Sequence, residues 1–257
     1  MQNLGIVVYS KGNNIRNLKG CLKSLIDFKD NTIVVIDGEK PSLEELDNFN
    51  CKNFKRVIYE SGCINYGLRQ LVKNENIEHF FIVYDNILIL DNKVFDDYIN
   101  VNKQTNIGCF VSSSPDDGKT RLTIELKDSY KLKLTYNFNG DIVYINKNTL
   151  LKTGFLDERY KSAYEKVDYF KRCSDNGLTT PIGWFVDVEN VYENILYQGN
   201  RPSFIHEVFN SNTVEDRLVR GMKLFHLKFK SELKDLINTF SQKDVISKLK
   251  LLSSRTS

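Results

Sequence analysis

Apolar residues along the first third of the chain gather in short runs, and between the runs they recur at helical spacing. Leu4-Gly-Ile-Val-Val-Tyr9, Thr32-Ile-Val-Val-Ile36 and His79-Phe-Phe-Ile-Val-Tyr84 are unbroken apolar stretches of strand length, as strands buried on both faces require. Between the first two, Ile15, Leu18, Leu22, Leu25 and Ile26 share one helical face and predict a helix over 15–28. Arg56-Val-Ile-Tyr59 reads as another strand, feeding a helix from about Ile64 to Lys73. This β-α-β alternation predicts an α/β fold, a mostly parallel sheet with helices on both faces.

The pattern then changes. Leu122-Thr-Ile-Glu-Leu126 and Leu132-Lys-Leu-Thr-Tyr136 alternate with period two, as half-exposed strands do, after an Asp116-Asp117-Gly118 turn signal. Asp141–Ile145 predicts a further strand and Lys147–Leu151 a short helix. A longer helix is expected over 162–175, closed by Asn176-Gly177. From about Val214 the chain reads as helical to its end. Phe229, Leu233, Leu236, Ile237 and Phe240 form one apolar stripe, and Val245, Leu249 and Leu252 another. The expected division is a domain over 1–210 and a helical extension over 211–257.

Composition narrows the function classes. A net charge of +3 on 257 residues offers no electrostatic case for nucleic acid. No stretch approaches the apolar length of a membrane span, and the start lacks the pattern of a signal peptide. The five cysteines are odd in number and never form a C-x-x-C pair, which favours reduced thiols in a cytoplasmic protein over disulfides or a zinc site. Ser10-Lys-Gly-Asn-Asn-Ile-Arg-Asn after the first strand is not the G-x-G-x-x-G of nicotinamide enzymes, and neither a P-loop nor a G-x-S-x-G elbow is present.

Parallel sheets bind ligands past the carboxyl ends of their strands. The polar residues there are Ser10, Asp37, Glu60-Ser61 and Asp85-Asn86.

The order of short motifs resembles the family-two, inverting glycosyltransferases with a GT-A fold. Val34-Val35-Ile36-Asp37-Gly38 is similar to that family's V-V-D-D-G-S, and Ser61-Gly-Cys-Ile-Asn65-Tyr-Gly-Leu68 to its A-R-N-x-G-L. Asp85-Asn86-Ile87 falls where the D-x-D motif sits, with Ile87 in place of the second Asp. Gly154-Phe-Leu-Asp157-Glu158-Arg159-Tyr160 resembles the G-G-F-D-E-x-F acceptor loop. Tyr164-Glu165-Lys166-Val-Asp168 resembles the opening of E-D-V-D-L-x-x-R, with Lys166 at the base position of that version; a D-x-V-D version puts the acid at Glu165. The resemblance covers about residues 3 to 210.

What the resemblance implies is transfer of a sugar from a nucleotide-sugar donor, a UDP-sugar favoured, to a hydroxyl of a glycan or lipid-linked glycan in polysaccharide biosynthesis, with inversion. It implies nucleotide-sugar contacts from Asp37, Asn65, Asp85 and Asn86, and acceptor contacts from Asp157 and Glu158; Ser10 joins the first set by its place after the first strand, and Trp184, the sole Trp, joins the second as a stacking platform for an acceptor sugar. It implies a divalent cation, Mn or Mg, on Asp85 with His206 as a second ligand. Glu165 is the candidate catalytic base and Asp168 the second candidate; three residues apart they share a helix face, and like-charge proximity would raise the pKa of one of them.

Simpler roles stand beside these. Asp37-Gly38 and Asp85-Asn86 also suit strand-end turns, Asn65 a helix cap, and Trp184 a place in the core. Ser162-Ala-Tyr-Glu165 is a complete capping box, in which Glu165 only closes a helix start. Ile87 and Lys166 also suit a catalytically impaired nucleotide-sugar or glycan-binding relative. The tail's seven lysines over 223–250 and its apolar stripe suit packing on the domain, a homodimer, or peripheral contact with the inner membrane face.

Overall fold

A computed structural model describes residues 3–56, 58–113, 120–136, 139–161, 164–198, 216–231, 235–236 and 239–254. The first apolar run forms β1 (Leu4–Ser10), with every residue buried. Asn14 then caps α1 (Ile15–Ser24), its side chain accepting from the Asn17 N–H at 3.1 Å. The predicted helix over 15–28 stops at Ser24 and gives way to a 3₁₀ segment, Ile26–Asn31. Next come β2 (Thr32–Asp37), β3 (Asn50–Phe54), α2 (Tyr59–Leu71), β4 (His79–Tyr84) and β5 (Ile87–Ile89).

Two expectations in this stretch are corrected. The strand expected at Arg56–Tyr59 is β3 instead, and Tyr59 already belongs to α2, five residues ahead of the expected Ile64. The reason is that β3 lies at the edge of the sheet, so a half-exposed run with Asn50, Lys52 and Asn53 suffices there and lacks an apolar signature.

The remainder comprises α3 (Lys93–Thr105), β6 (Cys109–Val111), β7 (Thr120–Glu125), β8 (Lys131–Thr135), β9 (Ile142–Asn146), α4 (Lys147–Thr153), α5 (Glu165–Asp175), β10 (Phe185–Val188), β11 (Ile195–Tyr197), α6 (Asp216–Phe229) and α7 (Gln242–Ser253). The six-stranded sheet has the order β3-β2-β1-β4-β9-β6. β1 to β4 are parallel to one another, and β9 runs antiparallel to β4 and β6. The fold is therefore α/β with a mainly parallel central sheet. β10-β8-β7 form a separate antiparallel sheet, and β11 pairs with β5.

Side-chain alternation on β1 and β4 sends neighbours to opposite faces. On one face Val7 meets α2 so closely that a Cβ on Gly67 would lie 2.7 Å from the Val7 side chain, which is why a residue without one stands there. On the other face Phe81 packs edge-on against Phe95 of α3, with centroids 4.8 Å apart.

The tail departs from a continuous helix. Lys230, at φ 54°, ends α6, and Ser241 starts α7 with a capping box to Asp244. Both helices pack on the rest of the chain. Phe225 is buried beside Tyr164, Asn106 Nδ2 donates to the Leu252 carbonyl at 2.8 Å, and Val245, Leu249 and Leu252 are buried as their stripe predicts. Of the other stripe, Leu233 and Ile237 lie outside the described residues. No described helix is long and apolar enough to cross a membrane.

Candidate active site

The chain lays β2 and β3 on one side of β1, and α2 then carries it back to β4 on the other side. The sheet order therefore reverses between β1 and β4, and in open parallel sheets it is past the carboxyl ends at such a reversal that ligands bind. Ser10 closes β1 and Asp85 follows β4. The Ser10 hydroxyl donates to Asp85 Oδ2 at 2.5 Å and accepts from the Gly12 N–H at 2.9 Å. Gly12 has φ +72° and a Cβ there would lie 2.6 Å from the Glu39 carbonyl, so this turn needs glycine. Asp37, at the end of β2, accepts from the Ile58 N–H at 3.1 Å and so ties β2 to the start of α2.

Asn86 donates to Asp141 Oδ2 at 3.1 Å, and its backbone carbonyl accepts from Gln198 at 2.7 Å. Its Oδ1 is buried with no hydrogen-bond partner among the described residues. Ile87 is fully buried and opens β5.

On the opposite face of the same rim lies a buried carboxyl cluster. Tyr9 and Tyr84 meet edge to face, with centroids 5.3 Å apart. The Tyr84 hydroxyl donates to Glu60 in the first turn of α2. Lys166 Nζ lies 3.0 Å from Glu60 Oε1 and 4.3 Å from the centre of the Tyr84 ring. Glu165, the first residue of α5, hydrogen-bonds the Glu60 carboxyl. Burial, then the Glu60 charge, push the Glu165 carboxyl up to about 8, against the pull of Lys166. Burial first, and then the nearby carboxylates, raise the Tyr9 hydroxyl, which has no hydrogen-bond partner among the described residues.

The capping-box expectation for Glu165 is corrected by this geometry. The helix begins at Glu165 itself, after Tyr164 at φ 66°, so Glu165 is not three residues inside the helix; Ser162 lies outside the described residues. The neighbour that raises Glu165 is also not Asp168. It is Glu60, from another helix, a residue that sequence placed near a strand end without giving it a role.

Asp168 has different partners. It is fully buried and accepts from Arg172 Nε at 2.8 Å, Lys228 Nζ at 2.5 Å and the Tyr160 hydroxyl at 3.2 Å. A carboxylate so engaged with two cations anchors the α5 and tail junction. Asp157 joins the same network, bonded to Arg159 Nη2 at 2.6 Å and to Lys228 at 2.9 Å.

Asn65 lies inside α2, not at its start. Its amide donates to the Leu156 carbonyl at 2.9 Å and to Glu158 at 2.8 Å, and accepts from the Leu156 N–H at 2.9 Å. That pattern holds the 154–160 loop against α2. Glu158 also pairs with Arg69 at 2.8 Å and keeps a partly exposed side chain. Trp184 is buried rather than displayed as a stacking platform, and its Nε1 donates to the Phe240 carbonyl at 3.0 Å. His206 lies outside the described residues.

Among the described residues, no group of three His, Cys, Asp or Glu side chains is placed to hold a metal ion. Asp85 supplies one carboxylate, oriented by Ser10. That donor set does not make a protein-only cage. It does fit a hard cation that takes most of its oxygens from a substrate diphosphate and from water.

No protein-family model matches the sequence, and no curated protein matches it. Solved structures similar to this chain include the mannosyltransferase PcManGT from Pyrobaculum calidifontis in complex with GDP-Man and Mn²⁺. It is 11% identical at a TM-score of 0.46, over 66% of this chain and 52% of that one. The catalytic domain of Drosophila β1,4-galactosyltransferase 7 with xylobiose is 13% identical at 0.44, over 70% and 63%. S. aureus TarS 1–349 is 12% identical at 0.48, over 100% and 83%. The chain spans about half the length of the mannosyltransferase. At such identities and TM-scores below 0.5, likeness says nothing of this chain's chemistry.

Proposed function

We propose that this chain is a GT-A-type glycosyltransferase that moves a sugar from a nucleotide-sugar donor, a UDP-sugar favoured, to a hydroxyl of a glycan or lipid-linked glycan, with inversion. The observation that carries the reading is the Ser10–Asp85 pair at the reversal point of the sheet, on the rim that also holds Glu165. The order of motifs from Asp37 to Asp168 supports it.

In this reading the diphosphate lies over the carboxyl ends of β1 and β4, with Asp37 toward the nucleoside and Asp85 toward the phosphates. Asp85 would hold a divalent cation, which when bound would supply neutralisation of the leaving charge. Ionised Glu165 takes the proton of the acceptor hydroxyl. The acceptor oxygen bonds to the anomeric carbon from the side opposite the donor phosphate. The bond from that carbon to the phosphate oxygen breaks, and its electron pair leaves with the nucleoside diphosphate. Glu158, with Arg69, borders the acceptor side, while Asn65 and Asp157 shape that side through the 154–160 loop.

Ile87 favours a second reading, a catalytically impaired protein that binds nucleotide sugar or glycan. The two separate on turnover. Release of nucleoside diphosphate from UDP-, GDP- or dTDP-sugars, abolished by Glu165→Gln with nucleotide binding intact, is the expected result. Nucleotide binding with no release from any donor, with or without glycan acceptors, identifies the second reading.

A further inference from the structure

Position 166, where the resembling helix carries an acid, is a lysine, and the structure shows where a second carboxyl comes from. Lys166 Nζ reaches 3.0 Å to Oε1 of Glu60 on α2, and both side chains are nearly buried, at 13% and 7% exposure. The Tyr84 hydroxyl donates to the same oxygen, and Lys166 stands over the Tyr84 ring. Glu60 therefore has a cation and a phenol as donors, and Glu165 hydrogen-bonds the same carboxyl. A hydrogen bond between two carboxyl groups needs one proton between them.

We propose that Glu60 and Glu165 form one proton-sharing carboxyl pair, in which Lys166 and Tyr84 keep Glu60 ionised so that Glu165 holds the proton. Glu60 is thus a positioning residue that sets when Glu165 becomes a base. The inference rests on the proposed transferase reading for its role in turnover, but not for its chemistry.

Among the described residues, the charged and titratable groups around the pair are Lys166 from α5, Tyr84 from β4, Tyr9 from β1 and Cys63 from α2, and Asp37 at the end of β2 acts on Tyr9 and Cys63. Lys166 is the cation in this set, and it contacts Glu60. Loss of the Glu60 charge leaves Glu165 beside a lysine alone and favours its ionised form. Loss of Lys166 leaves two carboxylates facing each other and favours the protonated form.

The test reads the proton directly and then turnover. Carbon-13 NMR of the full chain with labelled glutamate carboxyls is expected to show one carboxyl titrating well above the ordinary glutamate range. Glu60→Gln is expected to move that titration down by about 1 pH unit or more, and Lys166→Met to move it up by a similar amount. The rising limb of nucleoside diphosphate release against pH is expected to move the same way in each variant. A merely structural Glu60 would lower release at every pH and leave the limb in place. A wild-type spectrum with no glutamate titrating above about pH 6 would overturn the pairing, whether or not either variant folds. A shifted carboxyl in a protein that releases no nucleotide would leave the pair standing and sink the transferase reading instead.

Discussion

Lys228 of α6 lies 2.5 Å from Asp168 of α5, a carboxylate with no solvent exposure, and the contact joins the tail to the helix that carries Glu165. The same ammonium reaches Asp157 at 2.9 Å, so one lysine ties together the tail, α5 and the 154–160 loop. Removing one partner from a buried ion pair leaves the other charge uncompensated, at about 3–5 kcal/mol. Asp168→Asn is therefore expected to destabilise the protein by about 3 kcal/mol, leaving Arg172 and Lys228 without their anion. Lys228→Met is expected to cost less, because Arg172 still serves Asp168 and Arg159 serves Asp157. Denaturant midpoints of both variants check the order; equal costs would contradict it.

Acid is expected to loosen this junction. The hydrogen bonds from Arg159, and then from Lys228, hold the Asp157 carboxyl well below the usual carboxylate range. A depressed carboxyl contributes stability above its unfolded pKa of about 4 and loses it as pH falls below that value. Trp184 reports the event, because its Nε1 is bonded to the tail at Phe240. Tryptophan emission is expected to shift to the red below about pH 4, and Asp157→Asn to lack the part of that transition due to this group. Identical acid transitions in the wild type and Asp157→Asn would contradict the assignment.

Glu165 works with the opposite sign. Its carboxyl is raised, so the folded state binds the proton more tightly than the unfolded chain, and stability declines as pH rises from about 4.3 toward 8. The slope from this group is at most about 1.4 kcal/mol per pH unit. Glu165→Gln is expected to flatten it, giving a protein at least as stable as the wild type at pH 8 although inactive. Urea melts at pH 5, 6.5 and 8 decide the matter, and a wild type that gains stability across this range relative to Glu165→Gln would contradict it.

The central sheet was legible because its strands are buried on both faces and advertise themselves as apolar runs; β1, β2 and β4 lie within a residue of where periodicity puts them. β3 was not, since an edge strand with one covered face has no such signature. Ser10 and Asp85 could be singled out from their places past strand ends, although their hydrogen bond spans 75 residues. Sequence spacing pairs Asp168 with Arg172 at four residues, but nothing local points to Lys228, 60 residues away. Glu165 showed the limit most clearly. Ser162-Ala-Tyr-Glu165 satisfies the capping-box pattern, yet Tyr164 takes a left-handed backbone and starts the helix three residues later. That turn puts Glu165 against Glu60 on α2, a partner no one-dimensional pattern contains. Trp184 takes the core place that was one of its two roles in sequence, but its partner Phe240 lies 56 residues on and no local pattern names it.

The central claim is that the carboxyl ends of β1 and β4 receive a nucleoside diphosphate at Asp85. Calorimetric titration with UDP, GDP and dTDP, each with and without manganese, on the wild type and on Asp85→Ala tests it most directly. The account predicts that one nucleotide binds, with UDP the favoured one, that manganese strengthens the binding, and that Asp85→Ala abolishes the gain while the fold is retained. Absence of binding by all three nucleotides, with manganese present and the protein folded, would contradict it.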